Sequence, residues 1–123
     1  MMTLHSYIAA EAGRKFRYGR HDCVTFAGAW AEHVTGRKIV PPYASKAEGL
    51  AVLADRSILE ILRDEFAEVP KLRAQRGDIA VFASDSDLPA LGLVCGARVA
   101  VFTGRQIGYA ALSNALHVFR VTA

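Results

Sequence analysis

The hydrophobic period of this chain changes once, near Pro70, and that change limits the fold more than any other feature. Before Pro70 the apolar residues recur at helical spacing; after it they fall in short runs bounded by turn signals, as strands do. In the first half, Thr3 can cap a helix through Leu4, Tyr7, Ile8 and Glu11 that ends near Gly13. Cys23, Phe26, Ala27, Trp30, Ala31 and Val34 make the apolar stripe of a second helix, which Gly36 stops. Residues 37–40 read as a short extended piece, and Pro41-Pro42 forces an exposed connection. Ser45 and Ser57 cap two further helices, through Ala47, Leu50, Ala51 and Leu53 and through Ile58, Ile61, Leu62 and Phe66, the last stopped at Pro70. In the second half, Arg76-Gly77-Asp78 turns into a strand at 79–82. Strands at 90–95, closed by Gly96, then 99–102, 107–110 and 117–121 follow. Helices first and strands second predict an α+β fold, with N-terminal helices packed on a small antiparallel sheet, in a single domain over 1–123.

The residues that carry chemistry gather at the start of the second helix, in Tyr18-Gly19-Arg20-His21-Asp22-Cys23. Asp22 is placed as N-cap, so its carboxylate accepts from the free N–H groups of the first turn. Cys23 then lies where orphan N–H groups and the helix dipole favour negative charge, an environment that lowers a thiol pKa and yields a thiolate nucleophile. The plainer alternative is a small core hydrophobe, since free cysteine is among the most buried residue types. A thiolate that attacks an amide also needs a base. His21, two residues upstream, is the candidate base closest in sequence; its ring could instead hold the loop to the helix start. His117 on the last strand is a more distant candidate, and His5 and His33 read as surface or structural partners.

Other chemistries find little support. No Cys-x-x-Cys, His-x-x-x-His or Glu-x-x-His spacing is present, so neither a metal nor a cofactor is expected. Asp85 and Asp87 alternate as in a calcium loop without its glycine and closing glutamate, and the stretch from Gly104 to Gly108 lacks the end of a phosphate loop. A net charge of +3 is too weak to imply nucleic acid. The basic and aromatic run Arg14-Lys15-Phe16-Arg17-Tyr18-Gly19-Arg20 has no second basic cluster to support it and reads as a solvated loop. Two cysteines make no disulfide framework and fit a reducing compartment. With no leader-like start and no apolar run of membrane length, no membrane association is expected. The chain should be made in the cytoplasm and remain there unless it leaves in a larger assembly.

Asp22-Cys23 leading a helix, Arg76-Gly77-Asp78-Ile79-Ala80-Val81-Phe82 and Ala90-Leu91-Gly92-Leu93-Val94-Cys95-Gly96 together resemble the NlpC-type cysteine peptidases, a papain-like family that cuts peptide cross-links in bacterial cell walls. With Tyr18 to Cys23 and Pro42-Tyr43-Ala44-Ser45 added, the pattern is similar to short NlpC-like proteins of phage, prophage and gene-transfer-agent tail modules. The resemblance implies Cys23 as nucleophile. It also implies a histidine base at the opening of the second strand, where this chain has Ala90, and a third polar residue near Phe102, which is also missing. Losing the base alone should cost several powers of ten in rate. The resemblance therefore implies a degenerate peptidase fold in a tail-tip or baseplate protein, with other tail proteins as partners and a path from the host cytoplasm into the virion tail. The apolar run 99–102 supports this, since each of its faces needs a covering layer from this chain or another. The alternative is a live cell-wall peptidase or amidase, with peptidoglycan as substrate and a relocated histidine beside Cys23. A third reading is a chaperone for tail assembly that leaves before the particle is finished.

Overall fold

Six antiparallel strands form one sheet, ordered β1-β6-β2-β3-β4-β5, with helices against one face. The computed structural model describes residues 3–12, 14, 22–84, 90–103 and 106–122. The helices are α1 (Leu4–Glu11), α2 (Cys23–Thr35), α3 (Lys46–Asp55) and α4 (Ile58–Glu65); the strands are β1 (Glu68–Val69), β2 (Ile79–Phe82), β3 (Ala90–Cys95), β4 (Arg98–Thr103), β5 (Gln106–Ala111) and β6 (His117–Phe119). The α+β architecture expected from the period change is the one observed.

Local chemistry sets the helix ends. Thr3, Asp22, Ser45 and Ser57 are all extended N-caps whose side chains accept from the backbone N–H three residues on. Thr3 with Ser6 and Asp22 with Thr25 complete reciprocal capping boxes. Gly36 closes α2 at φ 77°, a left-handed position that favours glycine.

Strands β2 to β5 run as a meander. The chain end then returns to the far side and inserts β6 between β1 and β2, with Val118 opposite both Val69 and Ala80. Strand β1 and a 3-10 turn over Lys71–Arg73 are absent from the sequence reading. The extended piece expected at 37–40 is not a strand, and the last strand ends at Phe119 rather than 121. Beyond Phe119 the pairing with the β1 side runs one bond further, from Arg120 N to Ala67 O at 2.9 Å, while the Arg120 guanidinium is held by the buried Asp78, at 3.1 Å to both carboxylate oxygens. Asp78 also accepts from Gln75 N at 2.8 Å, and the Trp30 indole donates to Gly77 O at 3.0 Å. The Gly77-Asp78 pair is thus a structural knot that ties α2, the β2 turn and the chain end together.

Both sheet faces are covered from within the described chain. On the helix side, Val24, Phe26, Ala27, Trp30, Leu62 and Phe102 belong to the main core. On the other side, Ala80, Val94, Val99 and Val118 pack with Ala115, Ala74 and Leu112. Of the run 99–102, Val99, Ala100 and Phe102 are buried within this chain, and Val101 is partly buried.

Candidate functional site

Cys23 is the first residue of α2 and lies half-buried against the open end of the β3–β4 ladder. The paired register of these strands runs from Cys95↔Arg98 to Gly92↔Val101. One step further on, the thiol takes its place at the rung: Cys23 Sγ donates to Phe102 O at 3.2 Å, and the Leu91 N–H faces the sulfur. Burial pushes the thiol above its ordinary pKa. The Leu91 and Cys23 N–H groups pull against this, and the neighbouring Asp22 carboxylate adds to it. The expectation that the helix start would lower this pKa is therefore overturned: desolvation outweighs the backbone donors.

Asp22 is 2% exposed and fully engaged. Its carboxylate accepts from Thr25 N at 2.8 Å, from the Thr25 hydroxyl at 3.0 Å and from the Tyr43 hydroxyl at 2.6 Å. The sequence reading assigned no role to Tyr43 or Thr25. The Asp22-x-x-Thr25 spacing of a capping box was a usable signal for the threonine; Tyr43, from the connection after Pro41-Pro42, was visible only as part of the Pro42-Tyr43-Ala44-Ser45 pattern, which does not place it against Asp22.

The described histidines lie elsewhere. His33 is ten residues along α2, about 15 Å from Cys23 along the helix axis, and its ring lies near that of Trp30. His117 sits on β6, three strand spacings or about 14 Å from β4, with Nδ1 2.9 Å from Glu68 Oε2. His5 is exposed on α1. His21, the candidate base nearest in sequence, lies outside the described residues, as do Asp85, Asp87 and the basic run from Lys15 to Arg20. Ala90 opens β3 next to Leu91, and its methyl cannot accept a proton. At Phe102 a buried ring packs near Phe26, with centroids 6.3 Å apart.

A cleft of about 220 Å³ opens beside α2, walled by Val24, Thr25, Gly28, Lys38, Pro42 and Tyr43. It adjoins the partners of Asp22 and is not lined by Cys23, whose sulfur faces the sheet. Among the described residues no group of three or more His, Cys, Asp or Glu side chains could hold a metal ion, and no helix is long and apolar enough to cross a membrane.

The chain is similar to the NlpC/p60 domain in the crystal structure of the peptidoglycan hydrolase SagA, with a TM-score of 0.62 over 95% of each chain at 12% identity. That likeness establishes an NlpC-like, papain-type fold. By sequence the chain belongs to the family described as Domain of unknown function (DUF6950), whose model matches residues 2–121. No curated protein matches it.

Proposed function

We propose that this chain is a catalytically silent NlpC-type domain that serves as a structural or assembly protein of a phage-type tail, at the tail tip or baseplate. One observation carries the silent part: the thiol is turned onto the Phe102 carbonyl and raised in pKa by burial, beside an alanine where the fold's base belongs. An amide is cut only when a thiolate forms and a proton reaches the leaving amine. Ala90 and Phe102 offer no group for either transfer. The tail assignment is supported by the motif resemblance, from Tyr18 to Cys23, Pro42 to Ser45, Gly77-Asp78 and Leu91 to Gly96. Its partners would be other tail proteins, met in the host cytoplasm and retained in the virion.

A second reading is favoured by one finding. A structural neighbour is the NlpC/p60 domain of a peptidoglycan hydrolase, and Cys23 leads its helix as a nucleophile would. In that reading the chain is a cell-wall peptidase that uses Cys23 with His21 as relocated base.

The deciding experiment measures release of muropeptides from purified peptidoglycan by the wild type, Cys23→Ser and His21→Ala. Equal, background-level release from all three is expected. Turnover by the wild type that disappears in both variants would establish the peptidase. Washed particles probed for the chain test the tail assignment; its presence is expected, and presence only in assembly intermediates would make it a chaperone.

A further inference from the structure

We infer that strand β5 is a self-pairing edge through which two copies of this chain join their sheets. The two edges of the sheet are built differently. Strand β1 is two residues long, carries Glu68 in an ion pair with Arg63 and a hydrogen bond with His117, and runs into Pro70. Short length, charge and proline are the devices that keep an edge from pairing. Strand β5, Gln-Ile-Gly-Tyr-Ala-Ala, has none of them: it is six residues long, uncharged, free of proline, and in unbroken register with β4 from Thr103↔Gln106 to Arg98↔Ala111.

The phase of its backbone is fixed by one bond. Leu112 N donates to Ala97 O at 3.0 Å, so the alternation of an antiparallel ladder turns Gln106, Gly108 and Ala110 toward β4 and Ile107, Tyr109 and Ala111 outward. Among the described residues, nothing pairs with the N–H and C=O groups of those three. Tyr109, at their centre, is 56% exposed although large and apolar in body.

The occupant that fits is a second copy. An antiparallel pairing about a two-fold axis at Tyr109 sets that residue opposite the partner's Tyr109, and Ile107 opposite the partner's Ala111. Every outward residue of one copy then meets an outward residue of the other, which gives about six hydrogen bonds with none left over. No charge opposes itself across the axis, and the two tyrosine rings become a cross-strand pair on the helix side of the sheet. A single edge buries less than a standard interface of about 1,600 Å², so the dimer is weak and depends on concentration.

The test is sedimentation equilibrium from about 10 µM to about 1 mM, with amide hydrogen exchange, on the wild type, Tyr109→Pro and Tyr109→Lys. The Tyr109 N–H points away from β4, so proline is tolerated in the monomer; lysine sets two ammonium groups face to face. The wild type should dimerise with rising concentration and gain protection at the Ile107, Tyr109 and Ala111 amides, and both variants should associate at least about tenfold more weakly. A wild type that stays monomeric throughout overturns the proposal and leaves the edge to a foreign strand or to none. A dimer that leaves those three amides unprotected overturns it too, whether or not the variants fold.

Discussion

At Cys23 two influences oppose each other, and the structure shows which prevails. A helix start offers donors to a thiolate, yet burial and the Asp22 carboxylate hold the sulfur as a thiol. In a Cys95→Ala background, alkylation of Cys23 should therefore be slower than that of a free thiol at neutral pH. It should keep rising with pH through and beyond the ordinary thiol range. A rate already level below neutrality would mean a standing thiolate and a primed nucleophile. Asp22 makes the neighbouring prediction. It caps α2 and takes the buried Tyr43 hydroxyl. Asp22→Ala loses a cap and strands that hydroxyl, together about 3 kcal/mol. Tyr43→Phe removes one hydrogen bond and should cost about 1 kcal/mol. Urea unfolding of both single variants and the double variant separates these contributions, and a double variant as costly as the sum would show that the two groups are not coupled.

At the scale of elements, the ties between β2, β3, β4 and β6 are steric and ionic. Gly92 lies where a Cβ would meet Val99 Cγ1 at 2.5 Å and the Ala100 carbonyl at 2.6 Å, so β4 can approach β3 only because that atom is missing. Gly92→Ala should destabilise by about 3 kcal/mol, since the obstructing carbonyl is backbone and cannot swing away. Arg120→Met leaves the carboxylate of Asp78, 2% exposed, without its cation and should cost about 3 kcal/mol. The pair of His117 and Glu68 at the β1 edge is exposed and worth little, under about 1 kcal/mol. The His117 hydrogen bond lowers the Glu68 pKa. That contribution is whole above the usual carboxylate range and fades as pH falls through the lowered value, so the melting temperatures of the wild type and His117→Ala should converge in acid. Each helix start was legible because Thr3, Asp22, Ser45 and Ser57 announce themselves within three residues. Strand β1 was not, because its two residues become a strand only by pairing with β6, some fifty positions later. The candidate site divides in the same way: Asp22-Cys23 is local, whereas the contacts of Tyr43 with Asp22 and of Cys23 with Phe102 span 21 and 79 residues.

For the whole molecule, the order of strands makes the chain end a condition of folding. Strand β6 completes the sheet between β1 and β2, and its Val118 and Phe119 are fully buried, one in each of the two cores. Until it arrives, β1 has no partner, β2 is an open edge, and Asp78 lacks the Arg120 guanidinium. The two cores are thus coupled through three residues near the end of the sequence, and neither is complete without them. Truncation after Leu116 should abolish the cooperative transition rather than lower its midpoint, leaving helical signal in the far-ultraviolet spectrum with a broad melt and dye-binding apolar surface. Phe119→Ala, which keeps the strand and empties the helix-side core, should instead cost about 4 kcal/mol and preserve a sharp melt. If the truncated chain melted as sharply as the wild type, β6 would be an addition to a finished domain, and the sheet would owe its stability to the β2–β5 meander and α2 alone.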